Sequence, residues 1–132
     1  MIHLDHLTTT PPLAEVIDAM RPWHEGRFGA AGSLHQLGLE ARDALDEARS
    51  RLAKLVNATD PEEIIFTSNG TEAVNLAVKG AALANRRFGK HIVTTQIEHP
   101  AVLGSIAWLG EQGFESTQLS VDNQGRIDPV AL

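Results

Sequence analysis

Apolar residues recur at helical spacing in the first half of the chain and switch to alternating helical and extended patterns in the second. Val16, Ile17 and Met20 form a partial apolar face that predicts a helix opening near Pro12, which suits a first turn, and ending at Pro22. From Leu34 to Val56 the positions Leu37, Ala41, Ala44, Leu45, Ala48, Leu52 and Leu55 keep a helical period, and Glu47 and Arg51 stand as a favourable i,i+4 pair. A long helix follows from that spacing. Between the two, Glu25 to Ser33 holds Gly26, Gly29 and Gly32 and reads as a flexible loop. Thr8, Thr9 and Thr10 run into Pro11 and Pro12, so the opening dozen residues are expected to be extended or irregular.

Beyond residue 60 short apolar runs alternate with helical ones. Ile64 to Thr67, His91 to Gln96 and Phe114 to Val121 predict three strands. Helices are expected from about Thr71 to Asn85, with Val74, Ala77, Val78 and Ala81 on one face, and from Pro100 or Ala101 to a stop at Gly113. The second of these turns Val102, Leu103, Ile106 and Leu109 inward. Strand, helix, strand, helix, strand is the order of a parallel sheet with crossover helices, so the expected fold class is α/β. At the far end Asp128 is a good N-cap and Pro129 a good first helical residue, so an element begins where the sequence stops. Either a frayed tail or a longer chain explains that ending.

Composition removes several function classes. The 132 residues carry 11 Lys and Arg against 17 Asp and Glu, a net charge of −6, which opposes non-specific attraction to nucleic-acid phosphates. With no cysteine there is no disulfide framework, thiolate metal site or cysteine nucleophile in these residues. The chain lacks an apolar run of the roughly 20 residues that a membrane helix needs, and its opening does not read as a signal peptide. A cytoplasmic protein without membrane or nucleic-acid partners is expected. His3 and His6 lie three apart on a segment expected to be extended, so their rings should point to opposite faces, and no metal site is expected. His35, at the start of the long helix, reads as a capping or packing residue.

Chemistry is expected where strands meet helices. Ser68, Asn69 and Gly70 turn the first expected strand into a helix at Thr71, and this places unpaired amides and a positive helix end at the carboxyl edge of the sheet. An anion fits there: Gly70 permits close approach, and the hydroxyls of Ser68 and Thr71 are further donors. The simpler alternative is that Ser68 or Thr71 only caps the helix, with Glu72 favourable in its first turn. The turn lacks the lysine and glycine spacing of a nucleotide P-loop. The second strand delivers His99 to the same edge, where its ring is suited either to stacking on a planar group and moving protons or to capping the helix at Pro100.

Four segments resemble cysteine desulfurases and other class V aminotransferase-fold enzymes. They are Leu4-Asp5-His6-Leu7-Thr8-Thr9-Thr10-Pro11, Ser33-Leu34-His35-Gln36-Leu37-Gly38, Phe66-Thr67-Ser68-Asn69-Gly70-Thr71-Glu72-Ala73-Val74-Asn75-Leu76-Ala77 and Glu98-His99-Pro100-Ala101-Val102, in the family's order. Departures are His6 at a usually aromatic position, Ala30-Ala31 for Asn-Pro and Val74 for a frequent aspartate. The resemblance implies pyridoxal 5′-phosphate on a type I aminotransferase fold, with Gly70 and Thr71 on the cofactor phosphate and His99 over its ring. It covers the opening portion of that family, roughly a third. On that basis residues 1–60 are an extended arm with helices, and residues 61–132 are the opening βαβαβ part of the cofactor-binding large domain, a parallel-rich sheet flanked by helices.

By the same resemblance, the cofactor-anchoring lysine, the aspartate on the ring nitrogen and the arginine for the substrate carboxylate all lie downstream. Lys54, Lys79 and Lys90 do not match the anchoring position. No catalytic residue is therefore assigned, and the 132 residues alone are expected to be inert. The complete enzyme is expected to be a homodimer that converts cysteine to alanine and an enzyme-bound persulfide, with a sulfur-acceptor protein. The alternatives are another class V aminotransferase or lyase, and a non-catalytic module for a phosphorylated ligand or a partner protein.

Overall fold

A computed structural model describes residues 2–131. They divide into two compact units, with the boundary between Ile65 and Phe66.

In the first unit, helix α1 spans Ala14–Glu25 and helix α2 spans Gln36–Val56. Helix α1 starts after Leu13, which offers no side-chain cap, and Pro12 lies outside it. Pro22 does not end it. Its ring removes one amide hydrogen and crowds the carbonyl one turn back, but the Pro22 carbonyl still accepts from the amides of Gly26 at 3.1 Å and Arg27 at 2.7 Å, so the helix runs on to Glu25. Its apolar stripe stays largely open, with Val16, Ile17 and Met20 each near half exposure and no residue of the helix buried.

Helix α2 begins two residues later than the periodicity predicts because His35 caps it: the Gly38 amide donates to His35 Nδ1 at 3.3 Å. It ends at Asn57, whose φ of 56° is left-handed, and Glu47 pairs with Arg51 along its surface. Of the expected apolar positions only Ala41 is buried, joined by Gly38 and Ala53, whereas Leu37, Leu45 and Leu52 remain about two-fifths exposed. The preceding loop is held closely to the helix. A side-chain carbon on Gly29 would lie 2.6 Å from the Leu37 carbonyl carbon, and one on Gly38 would lie 2.8 Å from the Ala30 oxygen. Arg42 adds a tie, donating from Nε to the Ala31 carbonyl at 3.0 Å.

After α2, Asp60 and Pro61 open a 3-10 turn over Pro61–Glu63, closed reciprocally when Asp60 accepts from the Glu62 amide and Glu63 accepts from the Asp60 amide. The strand expected over 64–67 does not form. Ile64 is extended, but a ladder needs a neighbouring strand, and the Ile64 carbonyl instead accepts from Arg49 Nε at 3.2 Å.

The second unit runs α3 (Gly70–Asn85), β1 (His91–Thr95), α4 (Pro100–Glu111) and β2 (Glu115–Leu119), then a 3-10 turn at Pro129–Ala131. The two strands pair in parallel, with His91 opposite Glu115 and Thr95 opposite Leu119. Helix α4 is the crossover between them, and its buried face carries Ser105, Ile106 and Leu109. With Phe114 and Leu119 from the β2 side these residues form the core, in which Leu109 is fully enclosed. Burying one leucine contributes roughly 2 kcal/mol. Ser105 is accommodated there because its hydroxyl donates to the Ala101 carbonyl at 2.8 Å. Gly113, at φ 82°, stops the helix and lets Phe114 turn back to it.

Helix α3 packs against α4 but buries none of its residues. Val74 and Val78 are half-buried, while the expected Ala77 and Ala81 face outward. The Asp128 carboxylate accepts from the Val130 amide at 2.9 Å and caps the last turn as its sequence predicts. Among the described residues no helix is long and apolar enough to cross a membrane.

Candidate functional site

Two helices begin at one depression in the second unit. It measures about 330 Å³ and is lined by Asn69, Gly70, Thr71 and Val74 of the α3 end and by His99 of the α4 end. The residues singled out from sequence, Gly70, Thr71 and His99, thus face one space. Asn69 and Val74 join them.

Counting donors shows which helix start is open. At α4, Pro100 has no amide hydrogen, Ala101 donates to His99 Nδ1 at 3.0 Å, and Val102 and Leu103 donate to the His99 carbonyl at 2.8 and 3.2 Å. That end is satisfied. At α3 the N-cap is Asn69, rather than the expected Ser68 or Thr71: its side-chain oxygen accepts from the Glu72 amide at 2.9 Å, and its carbonyl accepts from the Ala73 amide at 3.1 Å. The amides of Gly70 and Thr71 have no acceptor among the described residues. The place of a Gly70 side chain is open space to 4 Å. Two free amides, the Thr71 hydroxyl and a positive helix end therefore meet at an uncovered corner, which suits an anion.

Ser68 departs from expectation. Its amide and hydroxyl both reach one oxygen of Glu72, at 2.7 and 2.6 Å, so the hydroxyl is already committed. These two bonds hold the Glu72 carboxyl below the usual glutamate range, the hydroxyl contributing most.

His99 caps α4, the simpler of the two roles weighed for it, and also lines the depression. Because Nδ1 accepts from Ala101, the neutral ring carries its proton on Nε2. The cap holds the Nδ1 edge of the imidazole. Just before it, the Thr95 hydroxyl donates to the Glu98 carboxylate at 2.9 Å and ties the end of β1 to the loop that carries the histidine.

Elsewhere the first unit has a larger hollow of about 380 Å³, lined by Trp23, Gly29, Ala31, Ala41, Ala44 and Leu45. It presents no titratable group and so offers packing alone. The rings of His3 and His6 do not diverge as expected. They meet edge to face at 4.7 Å because residues 5–8 turn, the Thr8 amide donating to the Asp5 carbonyl at 3.2 Å. No group of three metal-ligating side chains occurs among the described residues.

The sequence profile of class V aminotransferases matches residues 2–132. The chain is 47% identical over 131 residues to a cysteine desulfurase IscS of Dictyoglomus turgidum, covering 99% of this chain and 33% of that one. It is 45% identical over 131 residues to a cysteine desulfurase IscS of Methanosarcina thermophila, covering 99% and 32%. A solved NifS-like protein superposes with a TM-score of 0.87 at 32% identity, over 96% of this chain and 35% of the other. An apo cysteine desulfurase of Thermococcus onnurineus superposes with a TM-score of 0.79 at 29% identity, over 96% and 32%. The chain thus spans about a third of the length of its relatives, and its helical first unit and α/β second unit are part of an aminotransferase fold. By profile, sequence and structure, the chain belongs to the class V aminotransferase family.

Proposed function

We propose that this chain supplies the phosphate corner and ring-facing histidine of a cysteine desulfurase that uses pyridoxal 5′-phosphate, the cofactor of its family. When bound, that group supplies an aldehyde that takes up amino acids and a ring that withdraws electrons. The residues present fit it: Gly70 and Thr71 offer two amides and a hydroxyl to the phosphate at the α3 start, and no side chain fills the corner. His99 presents its ring from the facing helix start, oriented by its own cap. In this reading residues 61–132 open the cofactor-binding large domain of a cytoplasmic, homodimeric enzyme. Its substrate is cysteine and its sulfur passes to an acceptor protein.

The same reading leaves turnover to residues outside these 132. Lys79 lies 4.8 Å from the centre of the Trp108 ring and Lys90 lies 5.8 Å from that of Phe114, so both are engaged away from the depression. Neither they nor Lys54 line the depression, and with no cysteine the chain has no thiolate to receive sulfur. The chain alone binds cofactor weakly and turns over no cysteine.

The carrying observation is the pair of acceptor-free amides opposite His99. Titration with pyridoxal 5′-phosphate, followed by phosphorus NMR and cofactor absorbance, tests it. Thr71→Val, which keeps both amides and loses the hydroxyl, should reduce the phosphorus shift, and His99→Ala should change the absorbance while sparing the binding of inorganic phosphate. Binding indifferent to both substitutions, or alanine formed from cysteine by the pure chain, overturns the reading.

A further inference from the structure

We propose that Glu72 is a positioning residue that decides which donors the phosphate corner presents, an inference that rests on the phosphate reading above. Four hydrogen bonds close a ring among three residues. Asn69 Nδ2 donates to Ser68 Oγ at 3.1 Å, Ser68 Oγ and the Ser68 amide both donate to the Glu72 carboxylate, and the Glu72 amide donates to Asn69 Oδ1 at 2.9 Å. The Ser68 hydroxyl and the Asn69 side-chain oxygen are thereby engaged within the ring, together with one of the two hydrogens on Asn69 Nδ2. The donors left without an acceptor at the depression are the Gly70 amide, the Thr71 amide, the Thr71 hydroxyl and the second hydrogen of Asn69 Nδ2.

The placement of this carboxylate is unusual for an anion site, because a negative charge in the first turn repels an incoming phosphate while also favouring the helix start. The geometry resolves the conflict. The carboxylate is turned back onto Ser68, where it holds the backbone ahead of the corner and withdraws two competing donors. Positioning outweighs repulsion at this exposed, solvent-screened place. The sign of the substitution effect follows: removing the charge weakens phosphate binding.

Hydrogen exchange over residues 66–76 and titration with inorganic phosphate at fixed ionic strength, both on the full 132-residue chain, test this. In Glu72→Ala the two hydrogen-bonded amides of the ring, those of residues 68 and 72, should exchange roughly fivefold faster, and phosphate should bind roughly threefold more weakly. Glu72→Gln keeps one acceptor and should fall between wild type and Glu72→Ala. Ser68→Ala, which keeps the amide bond to Glu72, should also fall between them, and unaltered exchange over residues 76–85 certifies that α3 is folded. Tighter phosphate binding by Glu72→Ala means that repulsion dominates and overturns the proposal. Exchange at wild-type rates in Glu72→Ala does so as well, and so does a loss in Ser68→Ala that matches Thr71→Val. Failure of phosphate to protect Gly70 and Thr71 in the wild type sinks the underlying phosphate reading alone, since the exchange rates still report on the ring.

Discussion

Helices α1 and α4 each have twelve residues, yet α1 buries none and α4 buries three. Composition accounts for part of this. Helix α1 alternates its stripe of Val16, Ile17 and Met20 with Glu15, Asp18, Arg21 and Glu25, whereas Glu111 is the one charged residue of α4. Connectivity accounts for the rest. A helix joining two adjacent parallel strands must return the chain along the sheet, so α4 has an obligatory surface to lie on. Helix α1 joins an irregular arm to a loop and has no such constraint. An apolar stripe shows which side of a helix seeks cover, while topology determines whether its own strands provide it.

Leu109→Ala should separate the two helices most sharply. It should lower unfolding stability by about 3 kcal/mol, whereas Ile17→Ala at a half-exposed site should cost less than about 1 kcal/mol, both read from urea unfolding. Equal losses would break the contrast. Pro22→Ala restores an amide hydrogen inside α1 and should stabilise that helix by about 1–2 kcal/mol, seen as added helical ellipticity and a higher urea midpoint. The caps allow a reciprocal test: Leu13→Asp should add about 1 kcal/mol where α1 has no side-chain cap, and His99→Ala should remove about as much from α4. The smallest effect is a pH response at α3. Glu72 titrates lower in the folded chain than in the unfolded one, so its contribution is present above the unfolded value and fades as pH falls through the folded one. The Ser68 amide proton shift should follow that titration, with a midpoint below the ordinary glutamate range.

The elements that the sequence made legible are those whose own periodicity sufficed. Helices α2, α3 and α4 and strands β1 and β2 lie within a few residues of expectation, as does the meeting of Gly70, Thr71 and His99 around one depression. What escaped depended on partners. The 64–67 segment has a strand's composition but no neighbour to pair with among the described residues, and Pro22 does not end α1 because its carbonyl accepts from two amides downstream. At the site, Ser68, Asn69 and Thr71 are all competent caps by type, and only the bond from Glu72 to Asn69 distinguishes them. One signal was available and unused: Asp60-Pro61-x-Glu63 has the spacing of a reciprocal helix start, which the structure shows.

The glycine-rich loop before α2 reverses its expected character. Gly29 and Gly38 are the places where the loop and the first turn of α2 meet backbone to backbone, with no room for even a methyl group. Alanine at either would wedge the loop off the helix. Within a segment that reads as permissive, Gly26 and Gly32 keep open space around them, while Gly29 is the point that admits no side chain.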